Sequence, residues 1–377
     1  MKYILIAGSG TGGHIFPAIA VAKELKKLAK DMKLLFVNSG QKRFINPDFY
    51  ELGEVVNVPG TGMPRKFSIR FFLFLIQTIR SVICSLRIIK KYRPCVAVGF
   101  GNFGSYGPLK AAALKGIPVF LHEANSIPGK ANRLLAKSAD SIAVNFPNTT
   151  FGQMSKKINV VGMPVRKEFE NPPLCNEALS YYGFDKNAPV LLVTGGSQGA
   201  RHINEVVFES LPYLKEIGIQ IIHLTGKNGY HFACQVYKKS GIKYCVKEFE
   251  ADMKKAFDAA DIVIARSGAS SLAEISATGK PAILIPYPHA TDKHQLFNAG
   301  YFANNNAAIL ILDNDLTVKS LVETVKMLLN NEKRRKQIAS NCARLFIPGA
   351  AERIARMILS LCEKKEKQRG GYKWRIA

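Results

Sequence analysis

The stretch ARSGASSLAE, residues 265–274, joins a short apolar run to a helical pattern through a turn of glycine and serine. Backbone N–H groups at the start of a helix, together with the helix dipole, favour a phosphate group. Glu274 lies inside the helix, where its carboxylate can accept hydrogen bonds from ribose hydroxyls. The stretch therefore predicts an α/β fold with a site for a nucleoside diphosphate at a helix start.

The same order of apolar strand, glycine turn and helix occurs at residues 3–14 and 190–201. Short apolar runs alternate with helical patterns along the chain, which is typical of right-handed βαβ units and parallel sheets. The predicted strands are 3–7, 33–38, 95–99, 118–122 and 141–145, then 190–194, 219–224, 262–265, 282–286 and 308–312. We therefore predict two doubly wound, Rossmann-like α/β domains that face a central cleft.

Length and composition agree with two domains, since 377 residues exceed the size at which one core keeps growing and 47% of them are hydrophobic. Prolines and charges interrupt the pattern at residues 160–173. We predict an N-terminal domain at 1–162 and a C-terminal domain at 163–347. A helix near 348–362 is expected to pack back onto the first domain, and residues 363–377 form a basic tail.

The charge balance points to an anionic partner, because 53 Lys and Arg against 28 Asp and Glu give a formal net charge of +25. Nucleic acid, a phospholipid surface and phosphorylated substrates all fit, as does a basic tail without a function. Seven cysteines without CxxC spacing predict neither a disulfide framework nor a metal site, and they favour a reducing cytosol. The first residues do not have the pattern of a signal peptide.

The segment IRFFLFLIQTIRSVICSLRIIKKY, residues 69–92, has basic residues at helical spacing and a broad apolar remainder. This pattern predicts an amphipathic helix in a membrane interface, with its basic residues toward anionic headgroups. The longest uninterrupted apolar run, residues 71–76, is far shorter than the ~20 residues of a membrane span. The alternative is a helix that packs on the sheet with its arginines in solvent.

Several shorter motifs each have two interpretations. Residues 8–13 match the dinucleotide pattern GxGxxG, but strand 33–38 ends in Asn38 instead of an acidic residue, which disfavours a nicotinamide cofactor. His14 is either a general base or a structural histidine. Residues 122–125, His-Glu-Ala-Asn, bind sugar hydroxyls or form a local turn. Asp313 and Asp315 form a metal motif or a turn, and we favour the turn.

These pieces together resemble the MurG family of peptidoglycan glycosyltransferases, which add N-acetylglucosamine to lipid I to form lipid II. The resemblance runs in family order through about residue 350 and rests on GTGGHIFPA at 10–18, HEANS at 122–126, GMPVR at 162–166, GGSQGAR at 195–201, EFEADM at 248–253, RSGA at 266–269 through Glu274, and 292–299. It implies the two-domain B-type glycosyltransferase fold and UDP-N-acetylglucosamine as donor.

The resemblance also implies a set of site residues. The uridine and ribose would lie in the C-terminal domain, with Glu274 on the ribose and Gln295 on the donor sugar. The expected substrate-binding residues are Thr11, Gly12, Gly13, Asn125, Arg166, Ser197, Glu250, Ala269, Ser270, Ser271, Leu272, Ala273, Glu274 and Gln295. Transfer with inversion requires a base, for which we predict His14, with Glu123 as its rival or partner. Neither a metal nor another cofactor is expected, since helix dipoles and Arg166 can stabilise the leaving diphosphate.

Three residues in two segments depart from the family pattern. The third glycine loop, GFGNFGSY at 99–106, has Asn102 and Phe103 in place of the usual second glycine and tyrosine. Glu250 stands where an apolar residue commonly lies against uracil, which is tolerable if that contact is made by the backbone.

The expected partners are UDP-N-acetylglucosamine, lipid I, an anionic membrane surface bound through residues 69–92, and other cell-wall synthesis proteins, without nucleic acid. The expected location is the cytoplasmic face of the cell membrane, as a peripheral protein. A UDP-sugar-dependent diacylglycerol glycosyltransferase and a nucleotide-sugar-binding protein without turnover are the alternatives.

Overall fold

The fold is taken from a computed structural model, which describes residues 2–8, 12–39, 47–64, 69–171, 173–196 and 199–368. The chain divides into two compact units. The first unit contains the described residues up to Arg166 and those from Gly349 onward, and the second contains Lys167–Pro348.

The first unit is built on a seven-stranded parallel sheet with strand order β3-β2-β1-β4-β5-β6-β7. The strands are β1 Lys2–Ala7, β2 Met32–Ser39, β3 Glu54–Val58, β4 Val96–Gly99, β5 Val119–Glu123, β6 Ser141–Val144 and β7 Ile158–Val160. Consecutive residues of β1 pack on opposite faces, Ile4 and Ile6 on one and Leu5 and Ala7 on the other. Burial on both faces explains why the central strands are continuously apolar.

Helices cover both faces of this sheet: α1 Gly12–Leu28, α2 Asp48–Leu52, α3 Ile69–Tyr92, α4 Tyr106–Leu114, α5 Lys130–Leu135 and α14 Ala350–Gln368. The last of these returns from the end of the chain to the first unit. There Ile354, Ala355 and Ile358 of α14 pack with α1 in one apolar cluster.

Cys95 and Cys362 form a disulfide with a Cα–Cα distance of 5.1 Å, joining residues 267 positions apart. The prediction against disulfides was wrong at this pair. It rested on the odd number of cysteines and the lack of CxxC pairs, and neither carries information about a partner that the fold brings close from the other end of the chain. The pair links the start of β4 to α14.

α3 has one face inside the unit and one face outside. Its buried residues, Phe74, Ser81, Ser85 and Ile89, lie on the side that packs against α4. Among the described residues, this helix alone is long and apolar enough to cross a membrane by length and composition, with a mean hydropathy of 1.7 over an 18-residue window. Because one face of it packs on α4, lipid cannot surround it, and its other face is exposed.

The second unit has a six-stranded parallel sheet with strand order β10-β9-β8-β11-β12-β13. Its strands are β8 Val190–Thr194, β9 Gln220–Leu224, β10 Tyr244–Lys247, β11 Ile262–Ala265, β12 Ala282–Leu284 and β13 Ile309–Leu310. Its helices are α6 Cys175–Tyr182, α7 Arg201–Glu216, α8 Tyr230–Ser240, α9 Met253–Ala259, α10 Ala269–Thr278, α11 His294–Asn304, α12 Val318–Asn330 and α13 Glu332–Arg344.

Each sheet reverses its strand order once, between β1 and β4 in the first unit and between β8 and β11 in the second. In doubly wound sheets, ligands bind beyond the carboxyl ends of the strands at such a reversal. The turns predicted as sites follow β1, β8 and β11, so all three lie at these positions.

Candidate functional site

His14 lies at the start of α1, at the carboxyl edge of the first sheet. Its Nδ1 lies 2.8 Å from the carbonyl oxygen of Phe100, in the loop after the neighbouring strand β4. A carbonyl oxygen only accepts, so Nδ1 carries the hydrogen and the lone pair of the neutral ring is on Nε2. Gly12 and Gly13 are the first two residues of α1, while Thr11 lies outside the described residues.

The loop after β4 comes close to the His14 ring. Gly101 has φ +89°, and a Cβ atom on it would lie 3.1 Å from two atoms of the imidazole. Only glycine adopts this conformation readily, and a side chain here would crowd the ring. The loop therefore fixes both the tautomer and the position of His14.

Glu123, at the end of β5, is buried and its carboxylate accepts four hydrogen bonds. Oε1 accepts from the backbone N–H of Asn125 (2.9 Å) and from its side-chain amide (3.3 Å). Oε2 accepts from the Gly129 N–H (2.9 Å) and from Nδ2 of Asn132 (2.8 Å). A carboxylate with this many donors is suited to holding the loop 124–129 and its Asn125, and this favours His14 over Glu123 as the base.

His122 precedes Glu123 and is fully buried. Its pKa is lowered to about 4, mainly by burial and to a smaller extent by the nearby His14, while a backbone hydrogen bond with Gly162 opposes the shift. His122 is therefore neutral near pH 7.

Arg166 is the last residue of the first segment of the first unit, and its guanidinium lies 5.7 Å from the ring centroid of Phe16 on α1. The structure thus places Arg166 beside the helix that carries His14.

In the second unit, the turn between β11 and α10 has the geometry of a phosphate site. Gly268 caps α10 in an extended conformation, and no side chain caps the helix start. The backbone N–H groups of Ala269, Ser270 and Ser271 belong to this first turn, and they favour an anion there. Leu272 and Ala273 are buried in the core, so only their backbone could contact a ligand. Glu274 follows on the second turn of α10.

A polar network holds this turn from behind. The Ser267 hydroxyl donates to the Gln295 carbonyl (2.7 Å), and the Asn298 amide donates to the Ser267 carbonyl (3.2 Å). Gln295 itself lies in the first turn of α11, where its Oε1 accepts from the Tyr287 N–H (2.9 Å). This leaves the NH₂ group of Gln295 as the part of the side chain suited to a sugar hydroxyl.

Arg266 is a site residue that sequence reasoning missed. Its guanidinium donates to the carbonyls of Ile285 and Pro286 (3.2 Å each) and pairs with the carboxylate of Asp313. His202 contacts the other oxygen of Asp313 at 3.2 Å. Asp313 thus serves an ion pair, and no group of three or more potential metal ligands occurs in the part of the chain that the structure describes. No local pattern links Arg266 to a carboxylate 47 positions later.

The glycines after β8 are required by close backbone approaches. A Cβ on Gly195 would lie 2.2 Å from the Ala200 nitrogen, and one on Gly199, at φ +71°, would lie 2.3 Å from the Thr225 carbonyl oxygen. Ser197, one of the predicted substrate-binding residues, lies outside the described residues.

Glu250 turns its side chain into the second unit. Its carboxylate accepts from Lys247 (2.5 Å), Tyr182 (3.0 Å) and the Asp252 N–H (3.1 Å). Burial opposes the negative charge, but these hydrogen bonds outweigh it and lower the pKa of Glu250. The Glu250 side chain is therefore engaged within the second unit, so the predicted contact with a nucleobase would have to come from its backbone.

Comparisons with known proteins identify the fold and the family of the chain. The glycosyltransferase family 28 N-terminal domain matches residues 4–144, and the glycosyltransferase family 28 C-terminal domain matches residues 190–354. The crystal structure of Acinetobacter baumannii MurG superposes with a TM-score of 0.76 at 24% identity, covering 96% of this chain and 100% of that one. The predicted fold class, two Rossmann-like domains of the B-type glycosyltransferases, is confirmed.

Curated relatives are similar over nearly their full length. A UDP-N-acetylglucosamine--N-acetylmuramyl-(pentapeptide) pyrophosphoryl-undecaprenol N-acetylglucosamine transferase of Halothermothrix orenii is 37% identical, covering 94% of this chain and 98% of its own. The enzyme of the same name from Protochlamydia amoebophila is 39% identical, covering 90% of this chain and 91% of its own. The chain therefore belongs to the family of these N-acetylglucosamine transferases, within glycosyltransferase family 28.

Proposed function

We propose that this chain is an inverting glycosyltransferase that moves N-acetylglucosamine from UDP-N-acetylglucosamine to the muramyl 4-hydroxyl of undecaprenyl-diphosphate-linked lipid I, giving lipid II for peptidoglycan. The observation that carries the proposal is the start of α10, which has no side-chain cap and is followed on its second turn by Glu274. A helix start of this kind suits a diphosphate, and the carboxylate suits the adjoining ribose.

The second unit holds the donor. The N–H groups of Ala269, Ser270 and Ser271 bind the diphosphate, and Arg266 keeps their turn in place through Asp313 and the two carbonyls after β12. Glu274 accepts hydrogen bonds from the ribose hydroxyls, Gln295 contacts the sugar, and the backbone at Glu250 contacts the base. The same N–H groups stabilise the charge that develops on UDP as it leaves.

The first unit supplies the base, His14. The acceptor oxygen forms its bond to the anomeric carbon from the face opposite UDP, and the bond from that carbon to the diphosphate oxygen breaks with its electron pair leaving on UDP. The hydroxyl proton passes to Nε2 of His14, whose lone pair is placed by the contact of Nδ1 with Phe100. Glu123 acts as a positioning residue for Asn125, and Arg166 adds positive charge beside α1. No step requires a metal or another cofactor.

The outer face of α3 holds the protein at the cytoplasmic face of the membrane, where lipid I is reached. Large apolar side chains form an exposed stripe at intervals of three and four residues: Ile69, Phe72, Ile76, Ile79 and Ile83. Exposed basic residues accompany them on the same helix: Arg70, Arg80, Arg87, Lys90 and Lys91. An apolar face with flanking cations suits the interface of an anionic bilayer. Phe74, by contrast, is only 6% exposed and belongs to the inner face.

The test is UDP release from UDP-N-acetylglucosamine by the purified chain, with and without a short-chain lipid I analogue. Wild type should release UDP only with the acceptor, and Glu274→Ala should lose this release because it loses the ribose contact. Glu323→Ala, on α12 and away from the turn, is the matched control and should keep it. Release with diacylglycerol but not with the lipid I analogue would favour a lipid glycosyltransferase, and UDP-sugar binding without any release would favour a binding protein.

A further inference from the structure

The loop after β4 departs from the family pattern at Asn102 and Phe103, and these residues stiffen it. Asn102, at φ +59°, accepts a hydrogen bond from the Ser105 N–H at 3.2 Å through its side chain. The buried Ser105 hydroxyl donates to the carbonyls of Gly101 (3.0 Å) and Asn102 (2.8 Å). These hydrogen bonds hold residues 101–105 together, so the loop 100–105 is a rigid segment.

One end of this loop touches the base. The Phe100 carbonyl oxygen lies 2.8 Å from Nδ1 of His14, and Gly101 packs against the same ring. Any displacement of the loop therefore moves the group that orients His14. Phe100 is itself buried, and its contact with His14 is partly buried.

The other end of the loop touches the membrane-facing helix. The Phe103 ring meets the Phe74 ring of α3 edge to face, with centroids 5.2 Å apart and planes at 82°. The ring centroids of Phe74 and Phe71 lie 6.2 Å apart. A second close approach fixes α3 nearby, since a Cβ on Gly107 of α4 would lie 2.2 Å from the Ser81 hydroxyl oxygen. α3 is thus packed tightly enough to transmit a displacement.

We propose that Phe103 is a positioning residue that links membrane binding by α3 to the placement of His14. The path runs from the apolar stripe of α3 through Phe74 to Phe103, and then through the stiffened loop to the Phe100 carbonyl. Binding of α3 to a lipid surface holds Phe74, and through it the loop, in the arrangement that orients His14. The proposal rests on the transferase activity and on His14 as its base. It adds that a membrane raises turnover even for an acceptor that does not need one.

The experiment uses a water-soluble, short-chain lipid I analogue, so that vesicles are not needed to present the acceptor. Turnover is measured with and without vesicles of phosphatidylglycerol and phosphatidylcholine. Wild type should show a rise of about tenfold in kcat on vesicle addition, a size in keeping with small errors in the placement of catalytic groups. KM for UDP-N-acetylglucosamine should stay the same, because the donor site belongs to the second unit.

Phe103→Ala should still bind vesicles and UDP, but its kcat should no longer rise when vesicles are added. Phe103→Tyr, which keeps the ring, should restore the rise, and Phe103→Leu, which keeps apolar volume without the ring, should restore it only in part. Phe74→Ala should resemble Phe103→Ala, and the double variant should lose no more than either single one. Phe72→Ala, on the outer stripe, is the control: it should need more vesicles but reach the same stimulation.

Three results would overturn the link. The kcat of wild type could be the same with and without vesicles, the rise in kcat could persist in Phe103→Ala, or the losses of the two single variants could add in the double variant. A merely structural role for Phe103 would lower kcat by the same factor with and without vesicles. If wild type shows no acceptor-dependent UDP release at all, the proposed function itself fails, which is a distinct outcome.

Discussion

The turns before α1 and α10 have the same plan of strand, glycine and helix, but their supports differ. The α10 turn is held within its own unit by Arg266, Ser267 and Asn298, which together bond to neighbouring loops and to Asp313. The His14 side chain at the α1 turn contacts the carbonyl of Phe100, on a loop that packs against α3.

This difference has a functional meaning. A diphosphate site is efficient when its donors are fixed before the ligand arrives, and a network of buried polar groups achieves that. A base that must act on a membrane-bound acceptor gains from being placed correctly only at the membrane. In our proposal the diphosphate-binding turn before α10 is therefore ordered at all times, whereas the placement of His14 depends on α3 at the protein surface.

Removing His14 is the strongest way to separate the two turns. His14→Ala should lower kcat by about 10²–10⁴-fold, the usual contribution of a general base. UDP affinity should stay within about twofold, because the α10 turn has its own supports. Steady-state UDP release and calorimetric titration with UDP measure the two quantities. His231→Ala, at an exposed position on α8, is the control and should change neither. A large loss of UDP affinity in His14→Ala would contradict the independence of the turns.

Much of the fold followed from apolar runs, and the exceptions have one cause. Every predicted strand is present, while β3, β7 and β10 were missed, and all three lie at the edge of a sheet. Edge strands bury less of their surface, so β7 has two exposed residues out of three and β10 is only partly buried. A strand without an apolar run has no signature in composition, and its partners become apparent only once the sheet is assembled.

Site residues could be predicted where a local sequence pattern marks them. Glycine turns after apolar strands placed His14 and the start of α10 correctly at the carboxyl edges of the sheets. The supports could not be predicted, because Arg266 and Asp313 are 47 positions apart and Cys95 and Cys362 are 267 apart. Likewise, the segment 69–92 was predicted to lie in a membrane interface, yet its Phe74 packs inward on Phe103.

The second prediction breaks the support of the donor turn alone. Asp313→Ala removes the carboxylate from Arg266, whose side chain is only 10% exposed, and leaves a mostly buried charge without its counter-ion. The free energy of unfolding should fall by about 3 kcal/mol, and UDP affinity by about tenfold. Urea denaturation and calorimetry measure these effects.

The control is Asp315→Ala, which changes the exposed carboxylate of the same short segment and should have little effect. If Asp313 and Asp315 instead bound a metal, both variants should lose activity alike, and Mn²⁺ should stimulate wild type. That pattern would mean that Asp313 acts as a metal ligand. The ion pair with Arg266 could then no longer be counted as a support of the α10 turn.

The third prediction uses a buried histidine in each unit. Burial lowers the pKa of His122 in the first unit to about 4 and that of His223 in the second to about 3, from an ordinary 6.5. The unfolded chain takes up protons near pH 6.5 while the folded chain does not, so stability is complete above that pH and falls as the solution is acidified. Between pH 7 and 5 each histidine should cost about 2 kcal/mol of unfolding free energy.

Urea denaturation followed by circular dichroism at pH 7, 6, 5, 4 and 3 checks this slope and its lower end. His122→Asn and His223→Gln should each remove about half of it, whereas His231→Gln should leave it unchanged. The loss due to His122 should end near pH 4 and that due to His223 near pH 3, which would sharpen the contrast between the units. A slope that survives in both variants would show that other groups cause it.

The smallest expected effect concerns membrane binding by the apolar stripe of α3, which we assign to the first unit alone. Ile79 is 60% exposed on the apolar stripe of α3. Ile79→Ser should weaken binding to anionic vesicles by about fivefold, equivalent to about 1 kcal/mol for a partly inserted side chain. UDP affinity should not change. Leu134→Ser, equally exposed at 61% on α5 of the same unit, is the matched control in a co-sedimentation assay. Equal losses in both variants would mean that vesicles bind exposed apolar area in general. α3 would then have no special role in membrane binding on which the placement of His14 could depend.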